Sequence, residues 1–180
     1  MIVKDVSQYH FLPTDDILID TNFWLFTYNI FASKNDRHYS AVLDYISSAH
    51  IYITDLIISE FIHTSVKIAF KNYKKNNNLP NINYKQDYQI TSDFKEQYQI
   101  AVNTVKDEIL TLTNIEIIET KKHYLQNALT GPTGMLDFND RVILQTALDN
   151  NFIILTDDAD YKNCNSDITI LTKNNALLRA

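Results

Sequence analysis

A chain of 180 residues with 45% hydrophobic and 21% charged side chains is long enough to enclose a core and too apolar to be wholly disordered. Its two glycines, Gly131 and Gly134, cannot supply a Walker loop, a dinucleotide fingerprint or a nucleophile elbow, which removes most nucleotide and acyl-transfer chemistry. The net charge of −6 argues against a polyanionic partner only until the acids are located, because one carboxylate cluster can dominate the sum.

The first buried-strand signal in chain order is the apolar run ILI at 17 to 19, closed by Asp20. Thr21 and Asn22 suit a helix start, and TNFWLFTYNIF continues it, with Trp24 and Phe26 assigned to the core. RHYSAVLDYISSA predicts a second helix and IYIT, at 51 to 54, a second strand. A long helix follows from Leu56 to about Lys75, with Ile57, Phe61 and Ile68 at helical spacing. The asparagine-rich segment from Lys74 to Tyr88, interrupted by Pro80, reads as a loop. Another helix is expected from Ser92 to Leu112, then a strand, IEII, at 115 to 118. The helix from Asp137 to Asn150, the strand FIILT at 152 to 156 and a fifth strand, ITIL, at 168 to 171 complete the pattern. Strands alternating with helices predict an α/β fold whose mostly parallel sheet of four or five strands is covered on both faces. A single domain over residues 1 to 180 is expected, with a helical insertion around 71 to 112.

Cys164 is the only cysteine, so no intrachain disulfide forms, and the first residues lack the apolar core of a signal peptide. No run reaches the ~20 apolar residues of a membrane span. A cytoplasmic protein without membrane association is the expectation.

The acids carry the chemistry. In an open parallel sheet the ligand site lies beyond the carboxyl ends of the strands. Asp20 closes one strand and Asp158 follows another, so the two share a sheet edge if those strands are neighbours. Asp137 and Asp140 open the late helix three residues apart, and Glu60 sits on the helix after IYIT beside Ile57 and Phe61. Taken singly these have ordinary explanations: helix capping for Asp137, dipole compensation for Asp140, a solvent-facing position for Glu60. Taken as a set, they approach from strand ends and the helices that follow them. Carboxylates ~4 Å apart repel by about 1 kcal/mol per pair in water and about 4 kcal/mol at an effective dielectric of ~20, so such a cluster calls for a cation. All-oxygen ligation selects Mg²⁺ or Mn²⁺, and one or two such ions suit hydrolysis of a phosphodiester.

With those residues in place the chain resembles the PIN-domain nucleases, with their VapC-like ribonuclease fold, from Ile17 to about Leu171. The resemblance rests on LIDTN (Asp20), SEF (Glu60), NDRVILQTAL (Asp140) and TDDADY (Asp158), in that order. It implies a three-layer α/β/α sandwich, catalytic and metal-binding Asp20, Glu60, Asp140 and Asp158, an Mg²⁺ or Mn²⁺ cofactor and cleavage of single-stranded RNA. In VapC-type members it also implies an antitoxin protein as partner. A homodimer stays open. The sequence departs from the compact toxin pattern in the sixteen residues ahead of its first strand signal, in the insertion, and in the extra acids Asp137, Asp157 and Asp160. Asp137 and Asp160 read as auxiliary metal ligands and Asp157 as solvent-facing.

Asn22 is a candidate substrate contact. On the long helix Glu60, His63, Lys67, Lys71 and Lys74 form one stripe extending ~21 Å at 1.5 Å per residue, and Lys67, Lys71 and Lys74 are candidate phosphate contacts with Tyr73 nearby for stacking. The ordinary alternative is a solvated lysine face. His63 reads as structural, Cys164 as a small packed hydrophobe and Arg141 as one half of a surface ion pair. A haloacid-dehalogenase phosphatase would need an acid where Asn22 stands, and a response-regulator receiver would need Asp15 and Asp16 at the other end of their strand. A DNA or structure-specific nuclease and a catalytically silent binding module remain open.

Overall fold

The computed structural model describes residues 1–28, 30, 39–130 and 136–179. Its centre is a sheet of six strands: β1 (Ile2–Asp5), β2 (Asp16–Ile19), β3 (His50–Thr54), β4 (Ile115–Ile118), β5 (Ile153–Leu155) and β6 (Thr169–Thr172). Their order is β1-β6-β5-β2-β3-β4, and every pairing is parallel. Around the sheet lie helices α1 (Thr21–Thr27), α2 (Ser40–Ile46), α3 (Asp55–Asn76), α4 (Ser92–Asn103), α5 (Lys122–Thr130), α6 (Phe138–Asn150) and α7 (Asn175–Leu178). This is the expected α/β sandwich, with one more strand than the sequence pattern predicts. The sixth is β1, four residues that pair with β6 at the sheet margin. Its side chains alternate between exposed and half-buried, so it lacks the continuous apolar run by which a doubly covered strand is read.

The central strands are apolar because both their faces are covered. Ile17, Leu18 and Ile19 of β2 pair with Ile153, Ile154 and Leu155 of β5, and all but Ile153 are fully buried. The chain crosses from β2 to β3 and β4 on one side, then returns to lay β5 on the other side of β2. That reversal is a topological switch point, and ligands of open α/β sheets bind at such a point, beyond the carboxyl ends of the strands that here are β2 and β5.

α3 begins one residue earlier and ends one residue later than its sequence signal, and the Thr54 side chain caps it by accepting the Ile57 N–H. The segment read as a loop contains a π-helical turn, Tyr84–Tyr88, and α4 passes into a second, Thr104–Ile109, within the span expected to be one helix. α3 and α4 pack as a hairpin around aromatic rings: Tyr88 is fully buried, with ring centroids of Phe70, Tyr73 and Phe94 at 5.0, 5.1 and 5.7 Å. α5 has no counterpart in the sequence pattern. Its buried side chains are Tyr124 and Ala128, in a small cluster with Val142 of α6, and polar contacts such as His123 with Asp149 at 2.7 Å join the same two helices. Among the described residues no helix is long and apolar enough to cross a membrane.

Candidate active site

Asp20 leaves β2 at the switch point and is 2% exposed. It caps α1: its Oδ1 accepts the Thr21 N–H at 2.7 Å, while its Oδ2 accepts the Thr156 hydroxyl at 2.6 Å. Thr156 follows β5 and also accepts the Asp158 N–H through the same oxygen, at 2.9 Å. The expectation that Asp20 and Asp158 share a sheet edge is met, because β2 and β5 are adjacent. Asn22, the second residue of α1, donates from Nδ2 to Asp158 Oδ2 at 3.0 Å. Glu60, on the second turn of α3, accepts the Thr21 hydroxyl at 3.1 Å. Two consecutive threonine and asparagine side chains thus hold acids from two other elements.

α6 brings the remaining acids. Asp137 is its N-cap and accepts the Asp140 N–H at 3.0 Å, while Asp140 Oδ2 accepts the Asp137 N–H at 3.3 Å, a reciprocal capping box. Asp137 therefore fulfils the capping reading, and it also acts electrostatically on Glu60 and Asp140. Asp160 is exposed, and its N–H donates to Asp158 Oδ1 at 2.8 Å.

The electrostatics shows which acids feel one another. Burial pushes Asp20 up to about 7; Thr156 and the Thr21 N–H oppose the rise, and Glu60 and Asp158 add to it. Asp140 is pushed up to about 8 by burial, then by Asp20, Asp137 and Asp158. Glu60 is also raised, first by burial, with Asp137 and Asp158 contributing and the Thr21 and Asn139 side chains opposing. Beneath them the fully buried Tyr161 holds its phenol well above its ordinary value, by burial and then by Asp20, Asp140 and Asp158. Acids from β2, α3, α6 and the turn after β5 share one field. Among the described residues no three His, Cys, Asp or Glu side chains form a group that could hold an ion as they stand. The donor chemistry nevertheless fits a hard divalent cation: the set is all carboxylate, raised first by burial and then by one another's charge.

Other assignments change. Asp157, read as solvent-facing, is 6% exposed: its Oδ1 accepts the Tyr39 hydroxyl at 2.7 Å and its carbonyl accepts from Asn174 at 2.6 Å. Among the described residues Arg141 has no ion-pair partner; it donates to the Leu136 and Ala128 carbonyls at 3.0 and 3.2 Å, tying α6 to the end of α5. Tyr73 is packed against Tyr88 within the hairpin. Lys67 and Lys71 are exposed on α3, whereas Lys74 is half-buried with its Nζ 5.4 Å from the Phe70 ring centroid. His63 is exposed, Cys164 packs at the edge of the core, and Trp24 is fully buried. Sequence reasoning missed the positioning roles of Thr21 and Thr156. Their only signal is adjacency, in IDTN and TDD, to the acids they hold.

The chain is similar in fold to VapBC2 from Rickettsia felis, whose crystal structure holds a DNA fragment from its promoter: 16% identity, TM-score 0.52, with 87% of this chain and 98% of that chain covered. Mycobacterium tuberculosis VapC20, a sarcin-ricin-loop-cleaving toxin, shows 10% identity and a TM-score of 0.48 over 83% of this chain and 95% of that chain. The PIN domain endonuclease Utp24 shows 17% identity and a TM-score of 0.40 over 91% and 89%. No curated protein matches the sequence significantly. The PIN domain model matches residues 17–165, from the start of the central strand to the turn beyond Asp158, and on that match the chain belongs to the PIN domain family.

Proposed function

We propose that the chain is a metal-dependent endoribonuclease that hydrolyses phosphodiester bonds of single-stranded RNA, with Asp20, Glu60, Asp140 and Asp158 as its catalytic acids. Asp137 and Asp160 belong to the same reading as auxiliary metal ligands. The observation that carries it is the bridge between strand ends: one hydroxyl, that of Thr156, joins Asp20 and Asp158 at the switch point, with Glu60 and Asp140 acting on them electrostatically.

A divalent cation bound by these carboxylates supplies a water of lowered pKa and offsets charge on the scissile phosphate. The chain's own residues do the rest. The Thr156 hydroxyl and the Thr21 N–H fix both oxygens of Asp20, so its carboxylate cannot rotate away. Asn22 orients Asp158 and stands beside it as a candidate substrate contact. The exposed Lys67 and Lys71, with Lys74 behind them, lead outward along α3 from Glu60 and suit a phosphate backbone. An antitoxin is the proposed protein partner, by analogy with the VapBC2 likeness in fold.

The test is cleavage of end-labelled single-stranded RNA, single-stranded DNA and flap DNA with Mg²⁺, Mn²⁺ or EDTA. Metal-dependent cleavage confined to single-stranded RNA is the expected result. Cleavage of DNA instead would make this a DNA nuclease, and no cleavage of any substrate would make it a binding module.

A further inference from the structure

Between α3 and the α4 hairpin lies a groove of about 340 Å³, lined by His63 on one wall and Tyr84, Lys85, Gln89, Phe94 and Tyr98 on the other. Two of its lining residues, Ser59 and His63, lie within one turn of Glu60 on α3. We propose that this groove is a nucleobase-binding subsite, in which a base of single-stranded substrate stacks on the Tyr98–Phe94 pair while its backbone follows the lysine stripe of α3. The inference rests on the nuclease reading and extends it to how the substrate is held.

Three observations converge on a base as occupant. Phe94 and Tyr98 are stacked, with centroids 6.0 Å apart and planes 26° apart, and Tyr98 is 47% exposed, so an aromatic face stands open beside the groove. Base–aromatic stacking needs such a face and tolerates any base. The polar lining, His63, Gln89 and Lys85, offers donors and acceptors for a base edge, as an apolar peptide groove would not. Lastly, the groove face of α3 (Ser59, Ile62, His63, Val66) is centred about 110° round the helix from Glu60, Lys67 and Lys71 at about 100° per residue, with His63 on the border between the lysine stripe and the groove. A strand whose phosphates ride that stripe turns its bases toward the groove. A helix of a partner protein would instead seek a continuous apolar floor, and the exposed Lys85 interrupts this one.

The experiment is equilibrium binding of short single-stranded oligonucleotides carrying 2-aminopurine, in RNA and DNA versions, to the full chain in EDTA so that no cleavage occurs. Quenching of the probe on binding is expected. Tyr98→Ala should weaken binding about tenfold and lessen the quench, and Tyr98→Trp should restore both. An abasic oligonucleotide should bind the wild-type chain and Tyr98→Ala equally. RNA binding tighter than DNA would assign the subsite to RNA, and equal binding would assign it to either single strand. Unchanged affinity and quench in Tyr98→Ala, or no binding by the wild-type chain, would overturn the subsite. Cleavage of unmodified RNA with metal, measured separately, would show the nuclease reading still standing in that event.

Discussion

The Thr156 hydroxyl donates to Asp20 Oδ2 at 2.6 Å, joining two residues that are 136 apart in sequence and both buried. Because the same hydroxyl accepts the Asp158 N–H, removing it frees two acids at once. In Thr156→Val the shape is kept and both bonds are lost. Leaving a buried carboxylate oxygen and a backbone donor without partners costs about 1–3 kcal/mol. Thermal melting should show that loss, and cleavage should fall by the ~10–100-fold typical of removing a group that orients a metal ligand. Thr156→Ser, which keeps the hydroxyl, should retain most of both. Wild-type activity in Thr156→Val would show that Asp20 needs no such anchor.

Asp157 and Asp158 are neighbours with opposite duties. Asp157 holds Tyr39 from beneath the sheet edge, whereas Asp158 is held by Asn22 at the switch point. Asp157→Ala should lower stability by about 1–3 kcal/mol, because the buried Tyr39 hydroxyl loses the acceptor it donates to, while the folded fraction keeps its cleavage rate. Asp158→Ala should abolish cleavage with little change in melting. Paired melting curves and rates distinguish the two, and the reverse pattern would exchange their roles.

The raised acids make stability depend on pH. Asp20 at about 7 and Asp140 at about 8 both bind protons more tightly in the folded chain than the ordinary carboxylate value of 3.8 allows. Their contribution is therefore fully present below that value and is lost as pH rises through about 7 to 8. Without metal, denaturation midpoints should fall between pH 5 and pH 8, a window of about three units set by those values. Added Mg²⁺ should flatten the slope. Asp140→Asn, which cannot ionise, should be the more stable chain at pH 8 and the less active one. A midpoint that rises across that window would contradict the clustered acids.

Lys67, Lys71 and Lys74 together should set the salt dependence of RNA binding. Each phosphate contact on a single strand contributes about 0.7 to the slope of log affinity against log salt. Replacing all three by alanine should reduce the slope by up to about 2, with Lys74 contributing least because it already lies over Phe70. Filter binding at four salt concentrations measures it, and an unchanged slope would return the stripe to a solvated face.

Strand ends were the most legible part of this chain, and they were enough to locate the switch point. ILI followed by Asp20, and FIILT followed by Asp158, are bounded by a change from apolar to acidic residues that only a doubly covered strand produces. The half-exposed β1 and α5, which buries only two side chains, offer no comparable contrast. The burial of Asp157 was hidden for another reason. Two adjacent acids in extended backbone point to opposite sides, and the choice is made by Tyr39, 118 residues away, whose phenol lies on the core side. Likewise Asp137 reads equally as cap or ligand from its sequence, and in the folded chain it caps α6 while its charge reaches Glu60.

The most direct test of the account is the rate at which Asp20→Asn cleaves end-labelled single-stranded RNA in Mn²⁺, compared with the wild-type chain in Mn²⁺ and in EDTA. The substituted amide keeps the shape of the carboxylate but has no charge, and its single acceptor oxygen can serve the Thr21 N–H or the Thr156 hydroxyl, not both. Loss of activity beyond the ~10–100-fold of an orienting residue, down to the EDTA baseline in a chain that still melts cooperatively, is the predicted result. Wild-type turnover by Asp20→Asn, or cleavage that persists in EDTA, would contradict a metal-dependent site built on Asp20.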